Sequence, residues 1–80
     1  MMRTDEYIFW IVPSLPEKPR TYLIYRASDE KTAIAIAVFE NKDYDIVEIP
    51  RKEPLTFTEQ LKILEACDLF LQKMYFYKWD

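Results

Sequence analysis

The side chains that could do chemistry in this chain are mainly carboxylates, because histidine and glycine are both absent from its 80 residues. Without histidine, catalytic triads and most zinc sites are excluded. Without glycine, the glycine-rich loops that bind phosphate through their backbone are excluded as well. Neither serine, Ser14 or Ser28, has a histidine to activate it. We therefore expect a protein with no enzymatic activity, no cofactor and no metal site.

The densest group of carboxylates falls in one short segment and comprises Glu40, Asp43, Asp45 and Glu48. Hydrolysis by paired carboxylates requires two of them in different environments across a cleft. A calcium loop of the EF-hand type requires a glycine and a terminal glutamate, which this spacing lacks. The segment is therefore predicted to be a solvated acidic edge.

A second group mixes basic and tyrosine side chains, as proteins that bind single-stranded nucleic acid do. Its members are Lys18, Arg20, Tyr22, Arg26, Arg51 and Lys52. The chain as a whole carries a net charge of −3, which opposes affinity for a polyanion. An accessory protein that binds single-stranded nucleic acid is therefore the alternative function, and nucleic acid is the less favoured partner.

The most specific signal is an aromatic run near the C-terminal end, with Trp10 as a second candidate. Tyrosine, tryptophan and phenylalanine are enriched at the centres of protein interfaces. We predict that the residues contacting a protein partner are Tyr75, Phe76, Tyr77, Trp79 and Trp10. The favoured function is a small regulator or inhibitor that acts by binding another protein, with a homodimer as one form of it. In the other interpretation, the aromatic tail folds back and covers the second face of the first long strand.

Three segments are predicted to be strands, and they must position these groups. The first, 7–12, is apolar on both faces, so both faces need cover. Proline-rich residues 13–19 connect it to an antiparallel second strand over 20–26. The third, 45–49, would place Ile46 and Glu48 on one face and Asp45, Val47 and Ile49 on the other, and it ends at Pro50.

The segment 29–41 admits two readings. An acidic start after Ser28 and alanines at 33, 35 and 37 favour a helix over 31–41. The same residues alternate between small and branched side chains, as a strand does. The preferred fold is α+β in the order β-β-α-β-α, a three-stranded antiparallel sheet with two helices. The alternative is a four-stranded antiparallel meander followed by one long helix.

The C-terminal helix is marked by the capping-box spacing of Thr56 and Glu59. Apolar residues then recur at helical spacing, at Ile63, Ala66, Cys67, Phe70, Met74 and Tyr77. Cys67, the one cysteine, is expected to be a small buried apolar residue. With no disulfide and no apolar run long enough for a membrane span, the expectation is one acidic, cytoplasmic domain over residues 1–80 that does not enter the membrane.

Overall fold

The computed structural model describes residues 1–13 and 20–75. It is an α+β fold, a five-stranded antiparallel sheet in the order β1-β2-β3-β4-β5 with one helix on one face. The elements are β1 (Met2–Arg3), β2 (Tyr7–Ile11), β3 (Arg20–Arg26), β4 (Asp29–Glu40), β5 (Asp43–Glu48) and α1 (Phe57–Tyr75). Each strand pairs with the next along the chain, so the alternative meander reading fits better than the preferred one.

Strands β2 and β3 confirm the first two predicted strands. They are antiparallel, with Phe9 opposite Ile24 and Trp10 opposite Leu23. The two-residue strand β1 pairs with the outer side of β2 through Met2 and Phe9, and no sequence pattern had indicated it.

The predicted helix over 31–41 is wrong, because residues 31–40 lie in β4 and Asn41 lies in the turn that follows it. On one side β4 pairs with β3, and on the other it pairs with β5. Two neighbouring strands supply partners for its backbone N–H and C=O groups, which outweighs the modest helix preference of alanine. Ala35 and Ala37 are fully buried beneath the helix, where their small side chains leave room for larger neighbours.

A bulge in β4 brings one further apolar side chain into the core. Ile24 pairs with Ala35 while Tyr25 pairs with Ala33, so Ile34 is an extra residue in the ladder. A bulge of this kind turns the extra side chain to the same side as its neighbour. Ile34 is only 1% exposed and belongs to the core beside Ala35.

The β4–β5 hairpin turns through Asn41 and Lys42, which have φ angles of 54° and 60°. Two left-handed residues between paired Glu40 and Asp43 are characteristic of a type I′ turn. Asparagine tolerates this conformation because its short polar side chain can hydrogen-bond locally, whereas lysine has nothing to offset the close approach of Cβ to the following carbonyl oxygen. The glycine-free chain thus places one strained residue in its tightest turn.

Helix α1 begins where the capping box predicts. The backbone N–H of Glu59 donates to Thr56 Oγ1 at 3.1 Å. The predicted stripe is confirmed through its middle, where Ile63, Ala66, Cys67 and Phe70 are buried. Phe70 contacts Phe9 edge to face, with ring centroids 4.8 Å apart. Over the part of the chain that the structure describes, no helix has the length and apolar character needed to cross a membrane.

Candidate interaction surface

The face of the sheet opposite the helix is the candidate functional site. Register places seven apolar side chains there, and we call this set the open face: Ile8, Trp10, Leu23, Tyr25, Ile36, Val38 and Val47. The core under α1 uses the alternate residues of the same strands, such as Phe9 and Ile24. Within residues 1–13 and 20–75, the one helix packs on that core side, so the described elements leave the open face uncovered.

Exposure on the open face is concentrated in two side chains. Trp10 on β2 is 48% exposed, and Val47 on the edge strand β5 is 59% exposed. Leu23 and Ile36, on the strands between them, are partly buried. Ile8 is fully buried although register places it on this face. The result is a continuous apolar surface across β2 to β5, with a tryptophan near one side and a valine near the other.

Charged side chains of opposite sign lie at the two edges of the open face. Arg3 on β1 pairs with Ile8 and therefore projects to this face. Asp45 on β5 pairs with Val38 and projects to the same face, as does Asp43, which pairs with Glu40. Arg3 and Asp45 are exposed, and neither side chain forms a hydrogen bond or ion pair with another described residue. Both charges are therefore free to meet a partner.

On the helix side, the main polar cluster is structural. Arg26 donates from Nε and Nη2 to the two carboxylate oxygens of Glu59, at 2.7 and 2.6 Å. The Tyr7 hydroxyl donates to Glu59 Oε2 at 3.2 Å. These bonds hold the pKa of the Glu59 carboxyl below its ordinary value. Burial and the adjacent Glu59 carboxylate raise the pKa of Tyr7. The cluster attaches the first turn of α1 to β2 and β3.

A second polar contact attaches the middle of α1 to β5. The Tyr44 hydroxyl donates to Asp68 Oδ1 at 2.5 Å, and burial together with this contact raises the pKa of Tyr44. Between these two contacts lies Cys67, which is fully buried as predicted. Burial raises the pKa of its thiol to about 12, so the thiolate is scarce near neutral pH.

The predicted partner-binding aromatic residues are not brought together over the described residues. Trp10 lies on the open face. Tyr75 ends α1 on the opposite side of the sheet, near the buried Tyr22, whose pKa it affects. Phe76, Tyr77 and Trp79 lie outside the described residues, as does the predicted cover of strand β2 by the tail.

The alternative set of basic and tyrosine residues does not form one surface. Arg20 and Arg26 lie at opposite ends of β3, about 20 Å apart at the usual rise per residue. Tyr22 is buried in the core, and Arg26 is bound to Glu59. Arg51 lies toward the Arg26 end, close enough to Glu59 to lower its pKa. Lys52 is exposed, and Lys18 falls outside the described residues.

The acidic segment is divided between the two faces of β5. Glu48 points to the helix side, where its carboxylate accepts hydrogen bonds from the Leu55 backbone N–H at 3.1 Å and from Gln60 Nε2 at 3.3 Å. Asp43 and Asp45 point to the open face, and Glu40 is exposed at the hairpin. Among the residues described here, no three acidic or cysteine side chains form a cluster that could hold a metal ion.

The sequence does not reveal most of the open face, because strand pairing decides which side chains share a face. Leu23 and Tyr25 lie on β3. Ile36 and Val38 lie on β4, a segment for which the preferred interpretation predicts a helix. The available signal was the alternation of 32–38, which places branched residues opposite alanines once the segment is a strand.

Comparison of the chain with family models, with curated proteins and with solved structures gives no match in any of the three. The site is therefore interpreted from its own residues.

Proposed function

We propose that this chain is a small non-enzymatic interaction module, a regulator or inhibitor that acts by binding another protein through the open face. The observation that supports this is the apolar sheet face that the described elements leave uncovered, with half-exposed Trp10. Tryptophan is the residue most enriched among those that dominate binding energy. A sheet face that carries apolar side chains also tends to be buried against another layer.

The size of the open face supports binding of a folded surface rather than a small molecule. Five strands at the usual spacing and a length of about six residues give a projected face of about 500 Å². Small-molecule sites are concave pockets, whereas a sheet face of this area offers a broad surface. The favoured partner is a flat apolar protein surface bearing a basic group to meet Asp45 and an acidic group to meet Arg3.

The described titratable groups support a binding role over a catalytic one. Glu59, whose pKa is displaced, is fully engaged by Arg26 and Tyr7. The Cys67 thiol is buried away from solvent. An active site usually presents groups with displaced pKa values to a cleft, whereas these groups serve to hold the helix on the sheet.

The test makes the same kind of change, from an apolar side chain to lysine, at two positions of similar exposure. Trp10→Lys alters the open face, and Leu61→Lys alters the outer side of α1, where Leu61 is 44% exposed. A photoreactive amino acid at position 10 identifies the partner by cross-linking in cells that make the chain, and titration calorimetry with that purified partner measures affinity.

We expect the partner to bind the wild type and Leu61→Lys equally, and to bind Trp10→Lys about 30-fold more weakly, the loss typical of a central tryptophan contact. Circular dichroism confirms that both variants fold. Loss of binding in Leu61→Lys with none in Trp10→Lys would contradict the proposed surface. So would a position-10 probe that cross-links to no protein, whether another chain or a copy of this one.

A further inference from the structure

Strand β5 lies at an edge of the sheet, and one side of its backbone has no strand partner among the described residues. At its end the Ile49 N–H donates to the Ile34 carbonyl oxygen at 3.1 Å, toward β4. Backbone groups alternate in direction along an antiparallel strand, so every second residue before Ile49 also faces β4. The backbone N–H and C=O groups that face outward are those of Tyr44, Ile46 and Glu48.

These outward groups make β5 a template for a further strand. Within residues 1–13 and 20–75, the N–H groups of Ile46 and Glu48 form no hydrogen bond. The Tyr44 N–H donates to Asp43 Oδ1 at 2.8 Å, as expected of a group that faces away from β4. An extended segment can add to an exposed edge of this kind through main-chain hydrogen bonds.

A cavity of about 250 Å³ opens beside this edge, between β5 and α1. Its inner wall is apolar and is formed by the buried side chains of Ala35, Leu55 and Ile63. Leu64 on α1 also lines it and is 40% exposed, so this flank of the helix forms the mouth. Sites for small organic ligands usually have about 300–1,000 Å³. This cavity is smaller, and it suits a single apolar side chain.

A strand added to β5 would supply that side chain. Ile46 lines the cavity, and side chains opposite each other in antiparallel strands project to the same face about 5 Å apart. A residue paired with Ile46 therefore projects toward the cavity, and its backbone meets the outward N–H and C=O of Ile46. Polar contacts bound the cavity at its two ends, from Glu48 to Gln60 and from Tyr44 to Asp68.

The charge around the edge indicates the chemistry of the added strand. Asp45 projects to the open face beside the edge, and Glu48 and Asp68 lie on the helix side. None of the three forms an ion pair with a described cation. A second β5 would bring the same acidic groups together, which opposes pairing with another copy. Lysine or arginine on the added strand would instead be attracted.

We propose that the β5 edge binds an extended basic segment of another protein, which adds to the sheet as an antiparallel strand and inserts one apolar side chain between β5 and α1. The apolar residue pairs with Ile46. In the antiparallel direction, the next residue of the segment faces Asp45, and the residue two positions earlier faces Glu48. Both are lysine or arginine. This site is separate from the contact that Trp10 makes on the open face, so the two can be tested independently.

The first experiment titrates the full chain with the end-blocked peptide Thr-Lys-Val-Leu-Lys-Lys-Thr. Its leucine is placed to pair with Ile46, its first lysine with Glu48 and its second with Asp45. Calorimetry should show saturable one-to-one binding that weakens as salt concentration rises. The same peptide with glutamate in place of every lysine should not bind. Absence of saturable binding by the lysine peptide at low salt would overturn the proposal.

The second experiment removes single N–H groups from the peptide. N-methylation of the leucine removes the donor to the Ile46 carbonyl oxygen and should weaken binding about tenfold, as expected for loss of one backbone hydrogen bond. N-methylation of the valine is the matched control, because its N–H faces away from β5 and binding should be kept. Equal effects at the two positions would show attraction by charge alone and would rule out strand addition.

The third experiment measures amide hydrogen exchange by NMR. In the free chain the N–H groups of Ile46 and Glu48 should exchange rapidly, whereas those of Asp45 and Val47 are protected by β4. Peptide at about ten times its Kd should slow exchange at Ile46 and Glu48 about tenfold. Unchanged exchange at these two positions in the complex would contradict the proposed register.

The fourth experiment tests the cavity with two variants on α1. Leu64→Lys places a cation at the mouth and should weaken peptide binding about tenfold, because the cation repels the peptide and loses water on contact. Leu61→Lys is the control at similar exposure, outside the cavity lining, and should bind like the wild type. Circular dichroism checks that both variants fold, and equal losses in both would exclude the cavity from the site.

A second copy of the chain is the competing occupant of the edge. Sedimentation equilibrium without peptide should show no dimer that protects the N–H groups of Ile46 and Glu48 from exchange. A dimer with both groups protected would assign the edge to self-pairing and overturn the basic segment as its partner.

Discussion

At the scale of single residues, Glu59 connects local sequence to tertiary structure. In a capping box the glutamate returns to the backbone at the start of its own helix. Here its carboxylate binds Arg26 and Tyr7 on the sheet, while Thr56 alone provides the side-chain cap. The sequence motif thus predicted the helix start correctly, but the glutamate serves to attach that start to β3.

Glu59→Gln should destabilise the fold and make the free energy of unfolding depend less on pH. Because the folded pKa of Glu59 is lowered, the unfolded chain binds more protons as pH falls below about 4.5, and the stability due to this group is lost there. At pH 7 we expect a loss of about 1–2 kcal/mol, toward the low end for charged hydrogen bonds because the Arg26 side chain remains partly exposed. Urea unfolding between pH 3 and pH 7 measures both effects.

The matched control is Glu65→Gln on the same helix. Glu65 is exposed and forms no hydrogen bond or ion pair with the described residues. It should leave stability at pH 7 within about 0.5 kcal/mol of the wild type, as most surface changes do. Equal losses in the two variants would show that the Arg26–Glu59 contact adds nothing specific.

At the scale of elements, the strands that are rich in branched and aromatic residues could be predicted from the sequence, whereas β4 could not. Tyr7 to Ile11 and Arg20 to Arg26 are rich in branched and aromatic residues and are strands in the structure. Residues 31–40 carry helix-forming alanines in a strand-like alternation, so local preference gives no decision. The strand conformation of β4 is decided by its pairing with β3 and β5. Several of the paired residues, such as Leu23 and Ile36, are more than ten positions apart in the sequence.

The candidate site was predictable only at one residue. Trp10 was identified by its type, and the structure places it on the open face at 48% exposure. The pattern over 45–49 separates Val47 from Ile46, but no local pattern says which side of β5 the helix covers. The face is a property of the assembled sheet, since register determines which side chains share it.

The β4–β5 turn gives a prediction at the element scale. Lys42→Gly should stabilise the fold by about 0.5–1 kcal/mol, because relief of the left-handed strain exceeds the added entropy of glycine in the unfolded chain. Thermal unfolding measures the gain. Asn41→Gly is the matched control and should gain less, since asparagine already tolerates a φ of 54°. A destabilised Lys42→Gly would contradict the strain.

At the scale of the whole molecule, the described residues form a five-stranded sheet with one helix, which covers one side of that sheet. A chain of this size is expected to have a stability of only about 4–12 kcal/mol. Burial of its apolar side chains must therefore supply most of this stability, and the open face leaves some of them in contact with water. A second layer from a partner would remove that exposure and add stability that the isolated chain lacks.

If that second layer is another copy, unfolding must depend on protein concentration. Association binds the native state and not the unfolded chain, so mass action favours the folded dimer as concentration rises. For a domain of this size we expect Tm to rise by about 4 °C for each tenfold increase in concentration. Calorimetry over a hundredfold range measures it. Leu61→Lys should keep the dependence, whereas the Tm of Trp10→Lys should stay constant, because its exposed cation prevents the two sheet faces from meeting. A wild-type Tm that does not change with protein concentration would mean that copies of the chain do not bind one another through the open face.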